Sequence, residues 1–109
     1  MFSLQWVSHE KFGTATVTQK DGTLSINARQ ELEGNYVTLQ GTVAIVNDKE
    51  FTVTGELVTC VAHINNGKPC VRNETFTFKA SGKRKYWRMQ EMKNSCENDN
   101  TVDYIDVYF

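Results

Sequence analysis

The chain has no long apolar run, almost no net charge and only one proline, and each of these features excludes a class of protein. Its single proline, Pro69, leaves no proline-rich linker, and no repeat or low-complexity segment occurs. No apolar run approaches the roughly 18 residues of a membrane-spanning helix. The formal net charge of −1 provides no global field toward nucleic acid or anionic lipid. We therefore expect neither a nucleic-acid partner nor a membrane partner.

Cysteine usage and the N-terminal residues bear on the compartment. The chain has three cysteines, whereas a disulfide-dependent secreted scaffold usually has an even number. Residues 1–6 contain neither the basic nor the apolar segment of a signal peptide. These features predict a cytoplasmic protein, or a secreted one if a signal peptide has been removed. A length of 109 residues predicts one domain over residues 1–109.

What the sequence does contain is a series of turn signals between segments of alternating apolar and polar residues. The turns are Asp21-Gly22, Gly34-Asn35, residues 47–49, Asn66-Gly67 and Ser81-Gly82. Thr, Val, Ile, Tyr and Phe dominate the segments between them, and these residues favour strands. The pattern predicts an all-β domain, a single antiparallel meander of about eight strands.

The turns also predict which residues share a face, because directly opposed residues of an antiparallel hairpin lie on the same side of the sheet. All five turns agree on one apolar inner face, and threonines dominate the other. The predicted inner face carries Leu4, Trp6, Ala15, Val17, Leu24, Ile26, Leu32, Val37, Leu39, Val43, Ile45, Phe51, Val53, Leu57, Val61, Phe76, Phe78, Trp87, Met89, Ile105, Val107 and Phe109. Closure into a small barrel would hide this face and the sheet edges. A two-sheet sandwich is the alternative.

Strand number, meander order and turn spacing over the whole chain resemble the calycin architecture, the lipocalin-like and avidin-like up-and-down barrels. Trp6 has no glycine two residues before it, so the lipocalin Gly-x-Trp signature is absent and no ligand residues are carried over. Gly41 and Gly55 are predicted to lie opposite each other on the inner face. They indicate either a strand bend needed for closure or space left for a ligand.

The predicted inner face becomes polar toward one mouth of the barrel. The residues concerned are His63, Cys70, Arg72, Glu74, Glu91 and Asp103, with Gln30 pointing inward nearby. Polar groups inside a barrel must be paired or hydrated. The cluster is therefore either an ion-pair plug, with Arg72 between two glutamates, or a ligand site where Arg72 binds a carboxylate or phosphate. We take this mouth as the candidate ligand site.

The cysteines offer one disulfide and one remote catalytic hypothesis. Cys60 and Cys70 are predicted on opposite faces, so the candidate disulfide joins Cys70 to Cys96, with three reduced thiols as the alternative. Cys70 and His63 could act as the nucleophile and base of a hydrolase, but no oxyanion hole is recognisable. With Cys96 and His9 they could bind zinc, but no diagnostic spacing occurs. We expect no enzyme, no metal and no cofactor.

The outer face near the C-terminus combines tyrosines and arginines. The predicted patch consists of Arg84, Tyr86, Arg88, Tyr104 and Tyr108. These residue types are enriched in interaction hot spots, although ordinary cross-strand pairing also explains them.

Taken with the polar mouth, the sequence predicts a non-enzymatic binding protein for a small anionic or amphiphilic ligand at that mouth. The alternative is a protein-interaction module, inhibitor-like or a homodimer, that uses this patch.

Overall fold

The computed structural model describes residues 1–8, 10–80, 85–97 and 101–108. These residues form β1 (Phe2–Leu4), β2 (Thr14–Lys20), β3 (Thr23–Leu32), β4 (Asn35–Asn47), β5 (Glu50–Cys60), a 3-10 helix (Asn65–Gly67), β6 (Cys70–Lys79), β7 (Tyr86–Met89) and β8 (Ile105–Tyr108). The strands make one antiparallel sheet in the order β1-β8-β7-β6-β5-β4-β3-β2. The predicted all-β meander is confirmed, and one nearly closed barrel forms rather than two stacked sheets. No helix in the described ranges is long and apolar enough to cross a bilayer.

Among the described residues, one bridge joins the two edges of the sheet. Phe2 and Gly13 exchange two backbone hydrogen bonds, of 2.8 and 3.2 Å. Glycine is required there because a Cβ on Gly13 would lie 1.9 Å from the carbonyl oxygen of Arg29. Beyond Gly13, the described part of β2 is paired with β3 alone. The barrel is therefore joined at one end and splayed at the other.

Gly41 and Gly55 do lie opposite each other, as the sequence predicts. A Cβ on Gly41 would come within 2.4 Å of the Thr54 carbonyl oxygen, and one on Gly55 within 2.0 Å of the Gln40 carbonyl oxygen. Backbone atoms thus occupy the space that side chains would need. The pair permits a sharp bend of β4 and β5 and leaves no room for a ligand at that point.

Two of the predicted hairpins have the predicted register. Asp21 and Gly22 have φ values of 53° and 79°, as a tight two-residue hairpin turn requires, and Val17 is opposite Ile26. Across residues 47–49, Ile45 is opposite Phe51. These turns are specified by local sequence, and local sequence was sufficient to predict them.

The other three registers were predicted incorrectly. The turn after β3 is centred on residues 33–34, so Leu32 is opposite Asn35 rather than Val37. The predicted Asn66-Gly67 turn is a longer connection over residues 61–69, so Leu57 is opposite Arg72 rather than Phe76. Across the connection that contains Ser81-Gly82, which lies outside the described residues, Phe78 is opposite Met89 rather than residue 85. Every shift is an even number of residues, so the faces are unchanged.

Apart from Phe109, which lies outside the described residues, the predicted inner face is the core except where the barrel is splayed. Its fully buried members include Phe76, Phe78 and Leu39. Val17 and Ile45 have the predicted orientation, yet they are 55% and 63% exposed. Their exposure corrects the expectation that the whole inner face is buried, and it identifies the end of the barrel where the interior is accessible.

Candidate functional site

Arg72, the expected ligand anchor, is enclosed by protein at the joined end of the barrel. Its side chain is 6% exposed. Nε donates a hydrogen bond to Glu74 Oε2 at 3.3 Å, and Nη2 donates to the Glu91 carbonyl oxygen at 3.1 Å. The guanidinium carbon lies 5.3 Å from the centroid of the Phe76 ring. Nη1 is buried and has no partner among the described residues.

Asp103 and Asn94 complete this polar cluster, and both side chains are fully buried. Asn94 Nδ2 donates a hydrogen bond to Asp103 Oδ2 at 3.2 Å. Burial raises the pKa of Asp103 above its ordinary value, and the Asn94 hydrogen bond and the positive charge of Arg72 oppose that rise. The carboxyl group therefore belongs to the interior and is not available to a ligand from solvent.

Gln30 seals the same end from the opposite side. Its Oε1 accepts a hydrogen bond from the Leu4 backbone at 2.8 Å, and its Nε2 donates to the carbonyl oxygens of Ser8 and Lys11 at 3.1 and 2.9 Å. All of its polar atoms are thereby used to fix the residues that precede β2. Gln30 points inward, as the sequence predicts, and its role here is structural.

A disulfide between Cys70 and Cys96 fastens the connection between β7 and β8 over this cluster. It is the pair that the register favours. The Glu97 side chain accepts a hydrogen bond from the Asn65 backbone, which ties the same connection to the 3-10 helix. Cross-linking across a sequence separation of 26 contributes about 3 kcal/mol of stability. Cys60 remains a free thiol, half-buried.

Three predicted mouth residues do not converge on a mouth. His63 is exposed on the connection after β5, where its ring packs edge-on against Trp6 at 5.3 Å, so the inward orientation predicted for it is wrong. The Glu91 carboxylate accepts a hydrogen bond from the Thr77 backbone at 2.6 Å instead of facing Arg72. Glu74 is exposed. With Cys70 in a disulfide and His63 in solvent, the nucleophile–base pair considered above is not assembled.

We call this sealed region the closed end; it comprises Gln30, Cys70, Arg72, Asn94 and Asp103. Each of these side chains is buried and most of their polar atoms have protein partners. The ion-pair plug is therefore the better description of the predicted mouth. Access to the interior lies at the other end of the barrel.

An apolar groove of about 200 Å³ enters the barrel at the splayed end, which we call the open end. It is lined by Val17, Leu24, Ile26, Val43, Ile45, Phe51, Trp87 and Val107. The Phe51 ring stacks on Phe78 at 5.0 Å and meets Trp87 edge-on at 5.5 Å. Stacked rings make a well-defined floor. The sequence predicts that all eight lining residues face inward, and the structure places them around a groove rather than in a filled core.

The groove follows the gap in strand pairing. Beyond Gly13, β2 is paired with β3 alone, and no described strand joins it to β1 or β8. The register aligns Glu50 with Lys79, Arg88 and Asp106, so β7 and β8 reach the level of the β4–β5 turn and contribute Trp87 and Val107 to the groove. The gap depends on long-range pairing, so local sequence does not predict it.

Charged side chains surround the open end. Lys20, Lys49, Lys79 and Lys85 lie at the turns and strand ends there and are exposed, together with the carboxylates of Asp21 and Asp48, while Glu50 is half-buried. Lys79 Nζ is 3.9 Å from Glu50 Oε1, so one pair is partly neutralised. The described rim is thus apolar within and weakly basic around its edge.

A larger and wider concavity of about 760 Å³ lies on the outer face of β2, β3 and β4. Its lining is mostly hydroxyl and amide side chains, including Thr16, Asn27 and Gln40. Such groups are well hydrated on an open strand surface. Small-molecule sites are mostly apolar clefts with a few polar groups at the edge, and the groove at the open end matches that description better.

The predicted tyrosine–arginine patch assembles on the outer face of β7 and β8. Arg88 donates hydrogen bonds to both carboxylate oxygens of Asp106, at 2.8 and 3.0 Å, and its guanidinium lies 5.2 and 4.5 Å from the rings of Tyr86 and Tyr104. The bond with Asp106 raises the pKa of Arg88. Tyr108 packs against Tyr86 at 5.3 Å. Arg84 lies outside the described residues.

Within the described ranges no three His, Cys, Asp or Glu side chains are grouped as metal ligands.

The PM1083 family model matches residues 1–109. A protein of Pasteurella multocida (strain Pm70) named "Uncharacterized protein PM1083" is 48% identical over 108 residues, which are 99% of this chain and 69% of that protein. No solved structure matches the chain. The family model and this relative together show that the protein belongs to the PM1083 family.

Proposed function

We propose that this protein is a non-enzymatic binding protein whose ligand is an anionic amphiphile, with its apolar chain in the groove at the open end. The observation that carries the proposal is the wholly apolar lining of a groove that lies uncovered beside β2. The mouths of β-barrels are common sites for small ligands. The calycin-like architecture that the sequence resembles is consistent with this use of the barrel.

The groove favours an apolar chain because none of its lining side chains carries a charge. Each buried methylene group contributes about 0.8 kcal/mol, so a chain of about six supplies roughly 5 kcal/mol before the entropic cost of binding. A volume of about 200 Å³ suits a short or medium chain. Phe51 and Trp87 present flat ring surfaces against which such a chain can pack.

The rim favours an acidic headgroup. Lys20, Lys49 and Lys85 are exposed at the open end, and an exposed ion pair contributes up to about 1 kcal/mol. The headgroup therefore determines which amphiphiles the protein prefers more than how tightly it binds them. Arg72, which the sequence suggested as the anionic anchor, is enclosed at the closed end and does not support binding there.

Isothermal titration calorimetry with decanoate tests the proposal. Leu24→Asp places a charge in the groove, and we expect it to weaken decanoate binding tenfold or more, because the carboxylate must be desolvated and repels the ligand. Thr23→Asp is the matched control, since it adds the same charge to the neighbouring exposed residue on the other face of β3. Decanoate binding that is absent in the unmodified protein, or equally weakened in both variants, contradicts the proposal.

The protein-interaction alternative has weaker support. The tyrosine–arginine patch exists, and part of the Tyr104 ring is exposed. However, Asp106 engages Arg88 through two hydrogen bonds, and two tyrosine rings cover its guanidinium. Cross-strand pairing accounts for these contacts without a partner.

The disulfide bears on the compartment in which this binding would occur. Disulfides persist in oxidising compartments and are rare in the cytosol. The bridge between Cys70 and Cys96 therefore supports the secreted alternative of the sequence analysis over the cytoplasmic one.

A further inference from the structure

The tip of the β4–β5 hairpin exposes two apolar side chains. Ile45 and Val46 are adjacent near the end of β4. Ile45 is 63% exposed and Val46 55% exposed. The register shifts between Ile45 and Asn47, which leaves Val46 as the extra residue of a bulge. Bulges redirect side chains, and here the redirected side chain is apolar and points into solvent.

Other exposed apolar side chains collect at the same end. Alternate turns of an antiparallel meander meet at one end, so residues 21–22 and 47–49 both lie at the open end with the exposed Val17. Met1, which precedes β1 and whose backbone pairs with Tyr108 at the end of β8, is exposed as well. Single exposed apolar residues are ordinary, whereas a cluster around the mouth of a groove marks an interaction surface.

Lysines flank this apolar cluster and indicate the chemistry of its partner. Lys20 and Lys49 belong to the two turns, and Lys85 immediately precedes β7. Apolar side chains that enter the interface, with lysines at the level of the headgroups, are the combination that binds anionic bilayers. Asp21 and Asp48 lie in the same turns and limit the attraction, so we expect a reversible association.

We infer that the open end docks on an anionic lipid surface, with Ile45 and Val46 inserted among the headgroups and the lysines facing the anionic lipids. The inference rests on the proposed function: an amphiphile partitions into membranes, and a groove that opens toward the bilayer can take up the chain without its passing through water. It departs from the expectation of no membrane partner, which rested on the whole-chain charge and the lack of a long apolar run. The relevant charges and apolar residues are local.

Vesicle flotation with a pair of matched variants tests the inference. Val46→Asp changes a tip residue that does not line the groove. Val71→Asp makes the same change at a valine that is 50% exposed on β6, next to the disulfide at the closed end. We expect the unmodified protein to float with phosphatidylcholine vesicles that contain phosphatidylglycerol. Val46→Asp should lower this binding about tenfold or more, and Val71→Asp less than about twofold.

The controls separate docking from ligand binding. Val46→Asp should bind decanoate as the unmodified protein does when no vesicles are present. Vesicles of phosphatidylcholine alone should bind at least several-fold less protein, and high salt should remove the difference, because the lysines are exposed. Equal flotation with both vesicles, or equal loss in both variants, overturns the inference. Decanoate binding without flotation also overturns it, whereas flotation without decanoate binding contradicts the proposed function instead.

Discussion

The two ends of the barrel use the same inner face of the same sheet in opposite ways. At the closed end the face is polar, and Arg72, Asn94 and Asp103 are buried. At the open end the face is apolar, and Val17 and Ile45 are exposed. Polar side chains inside a barrel need partners, so the elements around them close. The comparison shows that convergent polar residues here mark a seal, and that access is found where apolar residues lack a cover.

Strand pairing decides which end is sealed. The connection between β7 and β8, the disulfide and the residues before β2 all meet at the closed end. At the open end β2 is paired with β3 alone among the described residues, and the apolar groove beside it lies uncovered. Residue chemistry alone therefore favours the wrong end, and strand pairing corrects it.

The sequence predicts correctly which side of the sheet a side chain occupies, but often not which residue lies opposite it on the next strand. Both results have one physical reason. A register error of two or four residues moves a pair along the strand and leaves each side chain on its own face. Alternation therefore identified Trp87 and Met89 as inward-facing although the residues opposite them were wrong. The fold depends on faces more than on exact pairs, which is why the barrel itself was predicted.

Long-range contacts explain what could not be predicted. Asn66-Gly67 reads as a hairpin turn, yet Asn65 and Asn66 adopt φ values of 55° and 56° in a longer connection held by Glu97. Closure depends on the bridge between Phe2 and Gly13, which local sequence does not announce. The positions of His63 and the groove depend on these contacts, so the candidate site was assigned to the wrong end.

Arg72→Ala tests the seal most severely. It removes a buried cation and leaves the carboxyl group of Asp103 without its positive neighbour, so we expect a loss of about 3–5 kcal/mol in the free energy of unfolding. Arg29→Ala is the control, because Arg29 is 53% exposed and pairs with exposed Glu31, where about 1 kcal/mol or less is at stake. Urea denaturation measures both. Similar losses in the two variants would show that the closed end is not a buried plug.

Asp103 gives the closed end a pH-dependent contribution to stability. Burial raises its pKa in the folded protein above the value of 3.8 that serves for the unfolded chain. Its contribution to stability is therefore complete below the unfolded pKa and is lost as the pH rises through the folded pKa. Each unit of pKa difference corresponds to about 1.4 kcal/mol.

Asp103→Asn should remove this dependence. The free energy of unfolding of the unmodified protein, less that of the variant, should fall as the pH rises from the acid range toward neutrality. Chemical denaturation at a series of pH values measures the difference, with exposed Glu31→Gln as the control. Parallel curves for the unmodified protein and Asp103→Asn would mean that burial does not perturb this carboxyl group.

Val17→Ser should have the smallest effect on the free energy of unfolding. The size of that effect measures how far water reaches the inner face at the open end. Val17 and Val53 belong to the same inner face, but Val17 is 55% exposed and Val53 is fully buried. Loss of two methyl groups costs little where water already reaches them, so we expect a change within about 0.5 kcal/mol for Val17→Ser. Val53→Ser should cost about 2 kcal/mol or more, because it leaves a cavity and buries a hydroxyl group. If thermal or urea denaturation gave Val17→Ser a similar cost, the long hairpins would have to fold over the groove in solution, and the interior would be closed at both ends.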